Sequence, residues 1–183
     1  MRTPGTYNEQ DYRVTLYKYQ WFSARAFFSQ ELRKWKNIHW TGWLAPYVRS
    51  GDQPMSNKTF FRAPATSKQG QTSGHGVCGT AWILGEYKTD GLPKITKASG
   101  AAQRRKYCDR TYITDDELSA RLSAGRSLAQ SFLAERLSTT HRKRWGVLIY
   151  DSVDTAAVVD NTNETGHRLG LQALSIVLEE HSA

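Results

Sequence analysis

Alternating and β-branched stretches near both ends of the chain predict strands. Near the start these are YRVTLYKY from Tyr12, rich in β-branched and aromatic residues, and GWLAPYVRSG over Gly42 to Gly51. Pro46 inside the second stretch indicates an edge position or a bulge, because proline cannot donate to a strand ladder. SFLAERLS (131–138) and WGVLIYDS (145–152) predict two more strands. The last is the most apolar stretch, so we expect it at the centre of a sheet.

Helical patterns alternate with these strands. VCGTAWIL predicts a brief helix that ends near Gly85. Thr114, followed three positions later by Glu117, forms a capping-box pattern, which predicts a helix start and a helix through about Leu122. Near the end of the chain, leucines recur at helical spacing and predict an amphipathic C-terminal helix: Leu171, Leu174 and Leu178.

The segments between these elements complete the predicted order. Residues 51–75 are dominated by small polar residues and predict a long surface loop. LPKITKAS (92–99) predicts a short strand, and GAAQRRKYCDRTY (100–112) a basic, irregular connection. The resulting order predicts an α+β fold, with a central antiparallel sheet of about five to six strands and helices on its faces. We expect a flexible lead-in over 1–11 and a single domain over 12–183.

Composition narrows the class of protein. The chain has 183 residues, of which 39% are hydrophobic and 11% aromatic, as in globular domains. No apolar run approaches the roughly 18 residues of a membrane span, and the N-terminus lacks a signal-peptide core. The only two cysteines, Cys78 and Cys108, fit a reducing compartment, so we predict a cytoplasmic location. The net charge of +8 favours an anionic partner.

Two motifs carry a family resemblance. GHGVCGTAW (74–82) looks like the glycine-rich turn into a short helix at the pocket wall of GAF domains, a family of small-molecule sensors. RWGVLIYDS (144–152) is similar to that family's penultimate strand, where GVL precedes an Asp-Ser pair. The likeness spans roughly residues 12 to 181 and implies a GAF-like fold. It also implies a ligand over the sheet, under a roof formed by residues 98–130.

The resemblance supplies the candidate ligand-binding residues. It implies a floor that includes aromatic side chains, and a roof whose arginines hold phosphate or carboxylate by charge-assisted hydrogen bonds. The alternative is that the floor aromatics are sheet core and that the Arg-Arg-Lys run at 104–106 is a solvated loop. The candidates are Trp43, Arg105, Tyr107, Arg126, Phe132 and Tyr150.

An enzymatic alternative starts from Cys78. GVCGTA is also the form of this turn in free methionine-R-sulfoxide reductases, enzymes built on the GAF fold, and Cys108 could supply a resolving thiol. Those enzymes carry a third cysteine, which this chain lacks. They also have an aspartate where Ile149 stands, so that only Asp151 of an acidic pair remains. We therefore predict a non-enzyme with no catalytic residue, and the reductase is the alternative.

Other chemistry has weaker signals. Gly74, Gly76 and Gly79 match G-x-G-x-x-G, but no strand precedes them and no long helix follows, as a dinucleotide site requires. The five histidines form no i, i+4 pair and the chain has no CxxC, so we predict no metal site. The sequence identifies no cofactor.

Residues 20–40 form an insert with six aromatic residues, interleaved with arginine and lysine against the single acid Glu31. We interpret this insert first as a surface that contacts another protein and second as a cover of the domain's own core. Binding to a membrane surface is the third interpretation and binding to nucleic acid the fourth. The helix that usually precedes the first GAF strand is missing, so we expect a homodimer through the C-terminal helix, to which the 20–40 insert could add contacts. The prediction is a sensory domain of a larger signalling protein, which binds a small, anionic or nucleotide-like molecule and transmits through that helix. A basic module that binds nucleic acid or lipid is a further alternative.

Overall fold

Six antiparallel strands form one sheet in a computed structural model that describes residues 12–21, 42–50, 60–63, 74–139, 141–153, 155 and 164–180. The sheet order is β3-β2-β1-β6-β5-β4. The strands are β1 (Tyr12–Gln20), β2 (Gly42–Arg49), β3 (Phe61–Ala63), β4 (Glu86–Thr89), β5 (Ser131–Ser138) and β6 (Arg144–Ser152). The helices are α1 (Gly76–Leu84), α2 (Ala101–Thr111), α3 (Asp115–Ser123) and α4 (Glu164–Glu180). The predicted α+β class, with an antiparallel sheet and helices on its faces, is confirmed.

The strands predicted from alternation are in place. The apolar strand β6 lies at the centre, between β1 and β5, as predicted. The bulge indicated by Pro46 is confirmed as well, because Leu16 pairs with Val48 whereas Tyr17 pairs with Pro46. Tyr47 is thus the extra residue of β2.

Three local predictions are wrong. Residues 92–99 form no strand, because Leu92 and Ile95 are buried under α2 and α3; Glu86–Thr89 pairs with β5 instead. Residues 101–111 are helical rather than irregular, since alanine, glutamine, arginine and lysine favour a helix. The predicted loop over 51–75 contains the strand β3, which at three residues is too short to show alternation.

The sheet is covered on both faces. Tyr17, Val147 and Ile149 face α1, in one apolar cluster. Their strand neighbours point to the other face, where Leu16 and Leu148 pack with Leu178 of α4. The helices α2 and α3 cover a third apolar cluster, which lies beside the cluster that faces α1. Adjacent residues of β1 or β6 therefore pack against different helices.

Two predicted segments lie mainly outside the described residues. Of the 20–40 insert, the structure describes Gln20, which ends β1, and Trp21, which is exposed. The proposed lead-in over 1–11 is not among the described residues. In the described part of the chain, no helix has the length and apolar character needed to cross a bilayer.

Candidate ligand-binding cavity

A cavity of about 310 Å³ lies between the sheet and the segment from α2 to β5. We call its sheet side the floor; its main side chains are Arg13, Thr15, Tyr17, Arg49, Phe132, Ile149 and Asp151. We call the opposite side the roof, which comprises Tyr107, Thr111, Ile113, Arg121 and residues 125–129. This volume falls at the lower end of the range of about 300–1,000 Å³ for small-molecule pockets.

Strand register assembles the floor. Arg13 pairs with Asp151, and Asp151 pairs with Phe132, so these three side chains form one row across β1, β6 and β5. Thr15 lies in the next row, between Arg49 of β2 and Ile149 of β6. Because residues two apart in a strand share a face, both rows point into the cavity.

One carboxylate and several guanidinium groups set the charge of the cavity. Arg13 donates from Nε to Oδ1 of Asp151 at 2.6 Å, and Arg49 donates from Nε to Oγ1 of Thr15 at 2.9 Å. Burial raises the pKa of Asp151, and the charges of Arg13, Arg49 and Arg121 partly offset this effect. Arg126 of the roof also lines the cavity, and Asp151 is the one acidic side chain among its described lining residues.

Two polar atoms of residues that line the cavity have no hydrogen-bond partner among the described residues, and we call such atoms uncommitted. Tyr17 is 4% exposed, and within the described part of the chain its hydroxyl has no hydrogen-bond partner. Burial raises the pKa of Tyr17 despite the opposing charges of Arg49 and Arg121, so the hydroxyl stays protonated and can donate. Among the same residues, Oδ2 of Asp151 also accepts no hydrogen bond. Both residues line the cavity, so a ligand in it can accept a hydrogen bond from the Tyr17 hydroxyl and donate one to Asp151.

Hydrogen bonds within the roof hold it in shape. The Tyr107 hydroxyl donates to the carbonyl of Ala129 at 3.1 Å, which ties α2 to the segment before β5. Arg104 of α2 and Asp115 of α3 form an ion pair at 2.7 Å. The predicted capping box is confirmed, since Thr114 accepts from the Glu117 amide and Glu117 accepts from the Thr114 amide.

A second contact joins the roof to the glycine-rich turn. His75 Nε2 lies 2.6 Å from Oε1 of Glu117, and the Gly76 amide donates to the Tyr112 carbonyl at 2.9 Å. Gly76 has φ +68°, and a Cβ there would lie 2.5 Å from the Phe61 ring. Burial by itself raises the pKa of Glu117, but His75 and the Thr114 amide outweigh it and lower that pKa to about 2. The turn GHGVCG is thus one attachment point of the roof.

The structure brings together half of the predicted site residues. Tyr107, Arg126 and Phe132 line the cavity. Tyr150 does not, because it alternates with Ile149 and Asp151 and packs on the α4 face. Trp43 packs with Ala45 and Phe60, away from the cavity. Arg105 is exposed in a surface groove along α2, because the segment is a helix and its Tyr107 side faces inward.

Sequence reasoning missed several lining residues. In β1 the set Arg13, Thr15, Tyr17 is polar, whereas the set Val14, Leu16 is apolar. This alternation of polar and apolar side chains indicates that one face of β1 is polar, and it is the sequence pattern from which a polar floor could have been predicted. His75 contacts Glu117, 42 positions away, and no local pattern predicts such a pair.

The thiols lie in environments that disfavour the reactive thiolate. Cys78 is fully buried among apolar side chains, and this burial raises its pKa well above the usual value. Cys108 packs against a different cluster, and burial together with Asp115 raises its pKa. A catalytic cysteine needs the opposite shift. Among the described residues, no three His, Cys, Asp or Glu side chains are grouped so that they could hold a metal ion.

Comparisons with known proteins add little to this geometry. No protein-family model matches the sequence, and a search of curated proteins finds no significant match. A solved structure with a similar outline is a mutated NreA protein from Staphylococcus aureus, altered in its nitrate-binding site. The superposition has a TM-score of 0.44 and 12% sequence identity, and it covers 89% of this chain and 87% of that one. A likeness at this level says nothing about what this chain binds.

Proposed function

We propose that this chain is a non-catalytic sensory domain that binds a small anionic molecule in the cavity between floor and roof. The observation that carries the proposal is the charge of that cavity, where, among the described residues, the guanidinium groups of Arg13, Arg49 and Arg121 line the same space as the carboxylate of Asp151. Because Arg13 pairs with that carboxylate, the guanidinium groups of Arg49 and Arg121 have no carboxylate partner among the described residues. These arginine side chains are half-buried, and an anion bound between them supplies the opposite charge, so it stabilises the domain.

The position of the cavity supports a sensing role. Arg13 and Arg49 belong to the sheet, whereas Arg121 and Arg126 belong to the roof. An anion between them joins two layers of the domain. Leu16, next to the floor residue Thr15, packs on the face that α4 covers. We propose that the effect of ligand binding is passed to α4 through β1, whose successive residues face the cavity and α4 in turn. From α4 it passes to the rest of a larger signalling protein.

The first test is ligand-dependent stability. Nitrate, inorganic phosphate, benzoate and AMP serve as anionic probes in a thermal-denaturation series at constant ionic strength. At least one is expected to raise the Tm of the wild type, because binding to the folded state alone stabilises it. Arg121→Gln should weaken that affinity by about tenfold, the value of one charge-assisted hydrogen bond.

The matched control is Arg105→Gln, an arginine of the same roof segment that lies outside the cavity. It removes the same charge from the protein but should leave the affinity unchanged. Equal losses in both variants would assign the effect to net charge rather than to the cavity, and would contradict the proposal.

Self-association through α4 also stays a prediction. The leucines of the predicted stripe are directed inward, with Leu178 buried and Leu171 and Leu174 packed on the same cluster. Leu169, Ile176 and Val177 of the same helix are exposed. We propose that a second copy covers these side chains. Sedimentation equilibrium at micromolar concentration should give the mass of two chains for the wild type and of one for Ile176→Glu, with Gln172→Glu on the same helix as control. A wild-type mass of one chain would contradict the dimer.

A further inference from the structure

We infer that the ligand is a small organic acid that carries a hydroxyl group as well as its carboxylate. This inference rests on the proposed function and deepens it, because it specifies the chemical class of the anion. Three features of the cavity lead to it: the volume, the uncommitted oxygen of Asp151 and the uncommitted hydroxyl of Tyr17.

The volume favours an organic ligand over an inorganic anion. A cavity of about 150 Å³ holds benzene, and a water molecule takes about 30 Å³. The present cavity, at about 310 Å³, leaves most of its space empty around an inorganic oxyanion. Its lining also includes apolar side chains from floor and roof, namely Ile113, Phe132 and Ile149, which suit a carbon skeleton.

Asp151 specifies a hydrogen-bond donor on that skeleton. Its Oδ1 accepts from Arg13, whereas Oδ2 lies at the cavity and, among the described residues, accepts from no protein group. A carboxylate so placed repels an anion that lacks a donor. An ammonium group would satisfy Oδ2 but would add positive charge to a cavity that Arg49 and Arg121 already line. A hydroxyl donates to Asp151 without adding charge.

Tyr17 specifies the position of the carboxylate. Its side chain is buried, and its hydroxyl retains its proton and lies in the field of Arg49 and Arg121. One phenolic donor beside two guanidinium groups is the arrangement that a carboxylate accepts from. The ligand carboxylate therefore binds between Tyr17, Arg49 and Arg121, and its hydroxyl faces Asp151.

Matched acids test the inference by isothermal titration calorimetry on the full chain. The pairs are propionate with lactate and benzoate with 4-hydroxybenzoate, and alanine, nitrate and inorganic phosphate complete the series. In at least one pair the hydroxylated acid should bind about fivefold or more tighter, the effect of one hydrogen bond to a charged group. Tyr17→Phe should weaken both members of that pair equally, since it removes a contact to the carboxylate. Tyr150→Phe, on the opposite face of the sheet, should change neither affinity.

The outcomes separate this inference from the proposed function. If nitrate, phosphate or the acids without hydroxyl bind as tightly, and the binding depends on Arg121, the anion-binding function stands and the hydroxy-acid inference is wrong. Tighter binding of alanine than of lactate overturns it as well. If no probe binds, both the inference and the proposed function are wrong.

Discussion

Replacing Gly146 by alanine should lower the free energy of unfolding by about 3 kcal/mol or more, because overpacking cannot be relieved by a side-chain movement here. Gly146 lies in β6 beside β1, and a Cβ built on it meets the Tyr17 carbonyl oxygen at 2.1 Å. That oxygen belongs to the backbone, so β1 and β6 must separate at Tyr17. We expect the variant to bind anionic probes weakly as well, since the Tyr17 hydroxyl lines the cavity.

Urea denaturation measures the loss, and Gly170→Ala is the matched control. Gly170 lies inside α4, and a Cβ there meets nothing within 4 Å. Alanine at that position should raise stability by about 0.5–1 kcal/mol, because it restricts the unfolded chain and favours the helix. A Gly146→Ala variant as stable as the wild type would show that the approach of β1 to β6 is looser than described.

Glu117→Ala should lower the free energy of unfolding by about 2–3 kcal/mol, since it removes a charged hydrogen bond and a helix cap together. Glu117 binds His75 through Oε1 and the Thr114 amide through Oε2. Glu117→Gln keeps an acceptor for the amide and should lose only about 1 kcal/mol. The exposed neighbour Asp116 is the control, and Asp116→Asn should lose no more than about 0.5 kcal/mol, from the helix dipole.

The stabilisation by Glu117 should depend on pH in a defined window. Its pKa is about 2 in the folded protein and 4.5 ordinarily, so its contribution is complete above pH 4.5 and declines as the pH falls towards 2. The difference in stability between wild type and Glu117→Ala should therefore shrink across that range. A difference that stays constant from pH 6 to pH 3 would mean that the carboxylate charge does not act on His75.

The cavity was predictable only in part from the sequence. The roof segment, and with it Tyr107 and Arg126, followed from the family resemblance and lies over the sheet. Thr15 and Arg49 stand 34 positions apart and become neighbours only through the pairing of β1 with β2. Their role depends on long-range register, which local patterns do not contain.

Local physical chemistry determined the elements whose signals lie within a few residues. The capping box at Thr114, the bulge at Pro46 and the apolar strand β6 are of this kind, because capping, the missing proline donor and hydrophobic burial act within a turn or a strand. Tertiary structure decided which face each strand presents and which helix covers it. Tyr150 and Asp151 are adjacent, yet the first packs under α4 and the second binds Arg13 in the cavity. A strand alternates between faces at every residue, so the sequence names both side chains but only the assembled layers assign each to its side.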